Sequence, residues 1–147
     1  MGERKTKDID RDLLQELRRL SIQLLPLGLR TLVVFGSRVR GDYLRDSDVD
    51  VLIVADTFRG LSFYEREYIV SKKWLYSIPL EAWCYTPEEV EKNLFERPRI
   101  DIVDAIENGL VVYDDGFWSR LRLAYSKKPY RWRKTSRGFS TLVLERD

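Results

Sequence analysis

The sequence predicts an α/β (α+β) fold in which a small β-sheet is flanked by helices. Residues 31–35 and 51–54 are short apolar runs rich in β-branched side chains, as is typical of buried strands. Residues 8–25 show the apolar spacing of a helix, and a second helix start follows at Thr86. Because such runs alternate along the chain, we expect the helices to pack on one sheet.

The first helix is predicted over residues 8–25, where apolar side chains recur every three or four positions. Acidic residues near its start interact favourably with the positive end of the helix dipole. Pro26 and Gly28 predict where the helix ends. The apolar positions are Ile9, Leu13, Leu17, Leu20 and Leu24.

The second half of the chain continues this alternation. Thr86 as N-cap, Pro87 at the first helical position and Glu89 three residues after the cap form a strong helix start. The predicted elements are a helix over 62–77, a strand over 78–85, helices over 87–95 and 98–108, a strand over 110–113, a helix over 117–126, and two extended pieces around 136–138 that form a hairpin.

Composition limits the possible functions. At 147 residues we expect one domain, with a core over about 8–116 and a C-terminal helix and basic tail over 117–147. The chain has no histidine, which excludes imidazole ligands, histidine bases and Ser-His triads. Its one cysteine, Cys84, excludes an internal disulfide and fits a cytoplasmic protein. No apolar run is long enough to predict a membrane helix.

The stretch from Gly36 to Asp50 carries the chemistry. Gly36 ends the first strand and, lacking a Cβ, lets backbone amides approach a ligand. Ser37 offers a hydroxyl next to it. A glycine–serine turn at a helix start can hold phosphate. Asp48 and Asp50 follow and, with the period of two in a strand, leave the same face.

Two carboxylates on one face repel each other unless a cation lies between them. Magnesium prefers oxygen ligands, commonly one or two carboxylates together with substrate phosphates. The turn and the carboxylate pair therefore predict a site for a metal and a triphosphate. An isolated acid pair beside a strand is more often simply solvated, so the prediction depends on Gly36 and Ser37 preceding the pair.

Gly36-Ser37, ten further residues, and Asp48-Val49-Asp50 before an apolar strand resemble the signature of the polymerase-β-type nucleotidyltransferase superfamily. The small chain is similar to its minimal nucleotidyltransferase branch, which is often paired with HEPN-domain proteins. The resemblance covers residues 30–113. It implies a polymerase-β-like nucleotidyltransferase fold with a small mixed sheet, two Mg²⁺ ions as cofactors, and a nucleoside triphosphate, ATP, as substrate.

The family pattern calls for a third carboxylate on a neighbouring strand. Glu81 matches that position, although the family more often has aspartate there. The resemblance then implies that Asp48, Asp50 and Glu81 are catalytic and hold the metal. It assigns the nucleotide phosphates to Gly36 and Ser37, and we expect help from Arg38 and from Ser47.

The acceptor of the nucleotide is open at this point. In a chain this short we expect a partner to supply it, and the family pairing implies a HEPN ribonuclease toxin whose tyrosine is adenylylated by this chain as antitoxin. The alternatives are an antitoxin that neutralises its partner by contact alone, and a nucleotidyltransferase acting on RNA or a small molecule. An oligomer is also possible.

The C-terminal tail is basic and aromatic. Residues 127–147 hold seven Lys or Arg and two acids, with Tyr130 and Trp132 interleaved. Such a segment fits contact with RNA or an acidic partner as well as it fits a solvated tail. On the third strand, Trp83 is expected to share a face with Glu81, and Cys84 to point into the opposite side as inert core.

Overall fold

The structure is a computed structural model that describes residues 10–41, 47–128 and 130–143, with the side chains of residues 130 and 140–143 outside the description. The predicted start of the first helix at residue 8 lies outside the described residues. The sequence also predicts a turn and short helix over 36–43 and a candidate phosphate contact at Arg45, and both Tyr43 and Arg45 lie outside the described residues.

The described chain contains six helices and six strands. The helices are α1 Arg11–Leu24, α2 Ser37–Arg40, α3 Phe63–Ser71, α4 Pro87–Phe95, α5 Ile100–Asn108 and α6 Phe117–Ser126. The strands are β1 Leu29–Phe35, β2 Val49–Ala55, β3 Leu80–Tyr85, β4 Leu110–Asp114, β5 Tyr130–Thr135 and β6 Gly138–Val143. Short 3-10 turns follow α1 and β2.

Four strands form a mixed sheet in the order β3-β2-β1-β4, and β5 and β6 form a separate hairpin. Strand β1 is antiparallel to β2 and β4. Strands β2 and β3 are parallel and are connected through α3. The predicted small mixed sheet flanked by helices is therefore confirmed.

Helices cover both faces of the sheet. On one face, the leucines of α1 and Val70 of α3 pack against β1 and β2. On the other, α4, α5 and α6 pack against Val33, Leu52 and Val54. This second face continues into the site, since Asp50 and Glu81 have the same parity as the strand residues that pack there.

Several predicted boundaries were wrong, among them the start of α5, which is Ile100 and not 98. Helix α3 ends at Ser71 and not at 77, because side chains of α1 hold the following segment in another conformation. The Glu16 carboxylate accepts from the Leu75 backbone N–H at 2.9 Å, and Arg19 donates to the Lys73 carbonyl. Strand β3 begins at Leu80 and not at 78, where the Trp74 indole donates to the Ile78 carbonyl at 2.8 Å.

Other predicted elements are confirmed. Thr86 caps α4 in a complete capping box with Glu89. The tail forms the predicted hairpin, and its Trp132 packs on the core with the indole donating to the Leu94 carbonyl. Cys84 is buried on the face opposite Glu81, where burial raises the pKa of its thiol to about 12. That thiol is inert core, as expected.

Candidate active site

The site lies where β1 ends and where β2 and β3 begin. Asp50 is paired with Phe35 on the antiparallel side and with Glu81 on the parallel side. Residues in register on neighbouring strands have side chains on the same face, about 5 Å apart. The register therefore brings the predicted carboxylates Asp50 and Glu81 together, directly beside the end of β1.

The electrostatics of Asp50 reflect this placement. Burial in the site and the neighbouring Glu81 carboxylate, in that order, raise the pKa of Asp50 to about 6. Asp48 adds a smaller effect in the same direction, while Trp83 favours the charged form. A half-buried carboxylate crowded by two other acids is a site where a divalent cation would relieve repulsion.

Gly36 allows Asp50 to occupy its position. Its backbone has φ 78° and ψ −150°, a conformation available essentially to glycine alone. A Cβ at this residue would come within 2.6 Å of Asp50 Oδ2. The glycine turn is therefore packed against the carboxylate that the sequence places in the same site.

Ser37 begins α2, a single turn in which the Gly36 carbonyl accepts from the Val39 and Arg40 backbone N–H groups. Its side chain is half-exposed next to the turn. The structure thus places Gly36 against Asp50, with Ser37 next in the chain. Which of them contact a nucleotide stays a prediction.

Arg38 occupies a different place from its neighbours. It is only 5% exposed, and its guanidinium donates to the Ser47 carbonyl at 2.5 Å. This bond ties α2 to the segment that leads into β2, so Arg38 and Ser47 position the two halves of the signature. Their predicted role in binding the nucleotide remains a prediction.

Asp48 lies just before β2 and is exposed. Within residues 10–41, 47–128 and 130–143, no three acidic or cysteine side chains are grouped closely enough to hold a metal ion. Asp50 and Glu81 are thus in place, and Asp48 stands at the edge of the pair. Binding of a metal by all three would bring the Asp48 carboxylate inward.

Trp83 was only partly recognised from the sequence. It shares the face of Glu81, as the strand period predicted, and it acts to lower the pKa of Asp50. Its indole N–H is buried and has no hydrogen-bond partner in the described part of the chain. We therefore attribute its effect on the pKa of Asp50 to the nearby indole dipole and not to a formed hydrogen bond. The strand period predicts which face of β3 Trp83 occupies. The burial of its indole N–H depends on packing with other elements, which the period does not reveal.

The chain matches the family model described as nucleotidyltransferase domain over residues 11–107, most of the described sheet and its helices. The chain belongs to this nucleotidyltransferase domain family. The match includes the glycine–serine turn, both aspartates and Glu81. It confirms the resemblance to the polymerase-β-type superfamily. No curated protein sequence matches the chain significantly.

Two solved structures resemble the nucleotidyltransferase fold of this chain. A candidate nucleotidyltransferase from Sulfolobus solfataricus is 21% identical with a TM-score of 0.46, over 78% of this chain and 93% of that chain. A toxin-antitoxin structure with AMP-PNP is 15% identical with a TM-score of 0.50, over 77% of this chain and 86% of that chain. At such identity, the second structure supports the fold alone.

The residues present fit the Mg²⁺ that members of this family typically use. Asp50 and Glu81 are two oxygen-bearing side chains in register, and burial followed by the Glu81 carboxylate raises the pKa of Asp50. Oxygen ligands of this kind suit magnesium, which completes its shell with phosphate and water.

We expect Gly36→Ala to damage both folding and the site. The added methyl group meets Asp50 Oδ2, and the backbone conformation is strained for any residue with a Cβ. The free energy of unfolding in urea should fall by about 2–4 kcal/mol, and binding of Mg-AMP-PNP should weaken at least ~10-fold.

Gly60→Ala is the matched control for that change. Gly60 has nearly the same φ, 80°, but nothing lies within 4 Å of its Cβ position. It should lose only about 1–2 kcal/mol for the backbone conformation and bind nucleotide normally. Equal losses in the two variants would show that Gly36 is not packed against a functional carboxylate.

The contribution of Asp50 to the stability of the metal-free protein, taken as the difference between the original chain and Asp50→Asn, should fall as pH rises from about 4 to 7. The folded-state pKa of Asp50, about 6, lies above its unfolded value, so the native state binds more protons in this window and loses stability as Asp50 ionises. Because Asp50 is only half-buried, we expect a loss of about 1–2 kcal/mol.

Urea titrations across this pH range would measure that loss. Asp50→Asn should abolish it, while Glu91→Gln, on an exposed position of α4, should leave it unchanged. Saturating Mg²⁺ should restore stability at pH 7 in the original chain and not in Asp50→Asn. A pH profile that Asp50→Asn does not alter would contradict the electrostatic account.

Proposed function

We propose that this chain transfers AMP from ATP to a hydroxyl on a partner protein. The observation that carries this proposal is the register of Asp50 and Glu81 on neighbouring strands beside the Gly36 turn. Membership of the nucleotidyltransferase domain family supports the class of reaction. None of the described helices has the length and apolarity needed to cross a membrane.

In the proposed reaction, Gly36 and Ser37 hold the β- and γ-phosphates, and Asp48, Asp50 and Glu81 hold two Mg²⁺ ions. Bound metal of this kind neutralises phosphate charge and stabilises the attacking and leaving oxygens. Arg38 and Ser47 keep the glycine turn and the aspartates in a fixed relation.

The chemistry is an in-line displacement at the α-phosphorus. The acceptor oxygen forms a bond to that phosphorus, the bond to the oxygen bridging to the β-phosphate breaks, and pyrophosphate leaves. Since the chain has no histidine, the hydroxyl proton passes to a carboxylate of the site or to solvent.

We further propose that the partner is a toxin and that this chain is its antitoxin. A toxin-antitoxin structure with AMP-PNP shares the fold. The resemblance to the minimal nucleotidyltransferase branch favours a HEPN-domain toxin with a tyrosine as acceptor. The hairpin exposes Arg131 and Arg133, which favours RNA as the second candidate acceptor.

Incubation with Mg-ATP should add one adenylyl group to a co-encoded partner protein, measured by mass spectrometry. Asp48→Asn should reduce the rate at least ~100-fold, about 2.7 kcal/mol of barrier. Asp12→Asn, at an exposed acid of α1, should leave it unchanged.

The same assay with tRNA as acceptor separates the alternatives. Labelling of tRNA and not of the partner protein would show that the acceptor is RNA and would contradict the protein acceptor. If Asp48→Asn still protects cells from the toxin while the wild-type chain labels nothing, the chain is a binding antitoxin and the proposed enzyme activity is wrong.

A further inference from the structure

A cleft of about 330 Å³ runs along the outer edge of β3, between α3 and the residue that precedes α5. Glu81 belongs both to this cleft and to the carboxylate pair with Asp50. The cleft therefore opens directly onto the site. Its principal side chains are Phe63, Glu67, Glu81, Trp83, Tyr85 and Arg99.

The position of the cleft relative to the phosphate turn suggests its use. Across the sheet, the order is the end of β1 with Gly36, then Asp50 on β2, then Glu81 on β3. The cleft therefore lies beyond Glu81, on the side away from Gly36. In an in-line displacement, the acceptor and the leaving group lie on opposite sides of the phosphorus. If Gly36 and Ser37 hold the leaving phosphates, the acceptor approaches from β3.

The backbone of β3 can hold an extended segment there. β3 is the edge strand of the sheet, so one side of its backbone faces no other strand. Arg66 donates to the Cys84 carbonyl from that side at 3.0 Å. Backbone groups two residues apart in a strand point the same way, so Ala82, which lines the cleft, presents its N–H and carbonyl outward. This arrangement suits addition of a peptide strand.

Charge favours a polypeptide over a nucleic acid in this cleft. Apart from Glu81, which we assign to the metal, the charged side chains of the cleft are Glu67 and Arg99, and Arg99 is paired with Asp101. Glu67 would repel a phosphate backbone, and Arg99 is already engaged with an acid. A peptide backbone carries no charge and gains the hydrogen bonds of the strand edge.

The walls of the cleft favour an aromatic acceptor. Phe63 is 58% exposed, an unusual position for a large apolar side chain, and it meets Tyr85 edge-on with ring centroids 6.0 Å apart. Trp83 adds a third ring next to Glu81. Aromatic side chains pair well in edge-to-face arrangements.

We infer that the β3-edge cleft is the acceptor site, and that it binds an extended polypeptide segment that places a tyrosine hydroxyl beside Glu81. This inference rests on the proposed function. It assigns substrate binding to Phe63 and to the backbone of Ala82, which lie outside the signature that carries the metal and the phosphates.

A peptide titration followed by ¹H–¹⁵N NMR tests the inference without requiring turnover. The probe is a short capped peptide with a central tyrosine between alternating valine and threonine, added with Mg-AMP-PNP. We expect the amide signals of Ala82 and Phe63 to shift on addition of peptide, and Phe63→Ala to weaken peptide binding about 10-fold. Phe63→Leu, which keeps an apolar side chain, should lose less.

Tyr64→Ala is the matched control, because Tyr64 is 86% exposed on the same helix and does not line the cleft. Equal effects of the two alanine variants, peptide shifts that map elsewhere, or displacement of the peptide by an RNA 3′ end would overturn the inference. If Mg-AMP-PNP shifts the Gly36 amide signal, nucleotide binding at the site is supported even when the peptide results overturn the acceptor site. If that shift is absent, the proposed function fails and the acceptor site fails with it.

Discussion

Repulsion between the Asp50 and Glu81 carboxylates is the constraint on which the site depends. The parallel register of β2 and β3 places the two acids side by side, and Asp48 stands just before them. Burial first and the Glu81 carboxylate second raise the pKa of Asp50, so its ionised form is unfavourable in the protein alone. It becomes favourable when a cation and a phosphate chain share the space. The fold thus keeps a local instability that substrate binding would remove.

Contacts outside the carboxylate pair maintain that register. The segment after α3 is held to α1 by Glu16 and Arg19, and the Val49 N–H donates to the Pro79 carbonyl at 2.9 Å just before β3 begins. Arg66, a buried residue of α3, donates to both Glu89 of α4 and the Cys84 carbonyl. A one-residue slip of β3 would turn Glu81 to the opposite face, so these bonds protect the carboxylate pair.

Much of this arrangement was predictable from local patterns. The strand period placed Glu81 on the face of Trp83 and Cys84 on the other, and the capping box at Thr86 fixed the start of α4. That Glu81 joins Asp50 was implied by the family resemblance and not by the period. The end of α3 was not predictable, because residues 72–77 look helical locally while Glu16, distant in sequence, captures them. The inward turn of Arg38 and the cleft beside Phe63 arise from packing between distant elements, which a single sequence does not display.

The central claim is that Asp50 and Glu81 on neighbouring strands, together with Asp48 just before β2, bind a metal-triphosphate beside the glycine turn. A crystal structure of the chain with Mg²⁺ and AMP-PNP measures this directly. The account predicts Mg²⁺ in contact with Asp48, Asp50 and Glu81, and phosphate oxygens against the backbone of Gly36 and Ser37. Nucleotide bound at another surface, with no metal in contact with Asp48, Asp50 or Glu81, would contradict it.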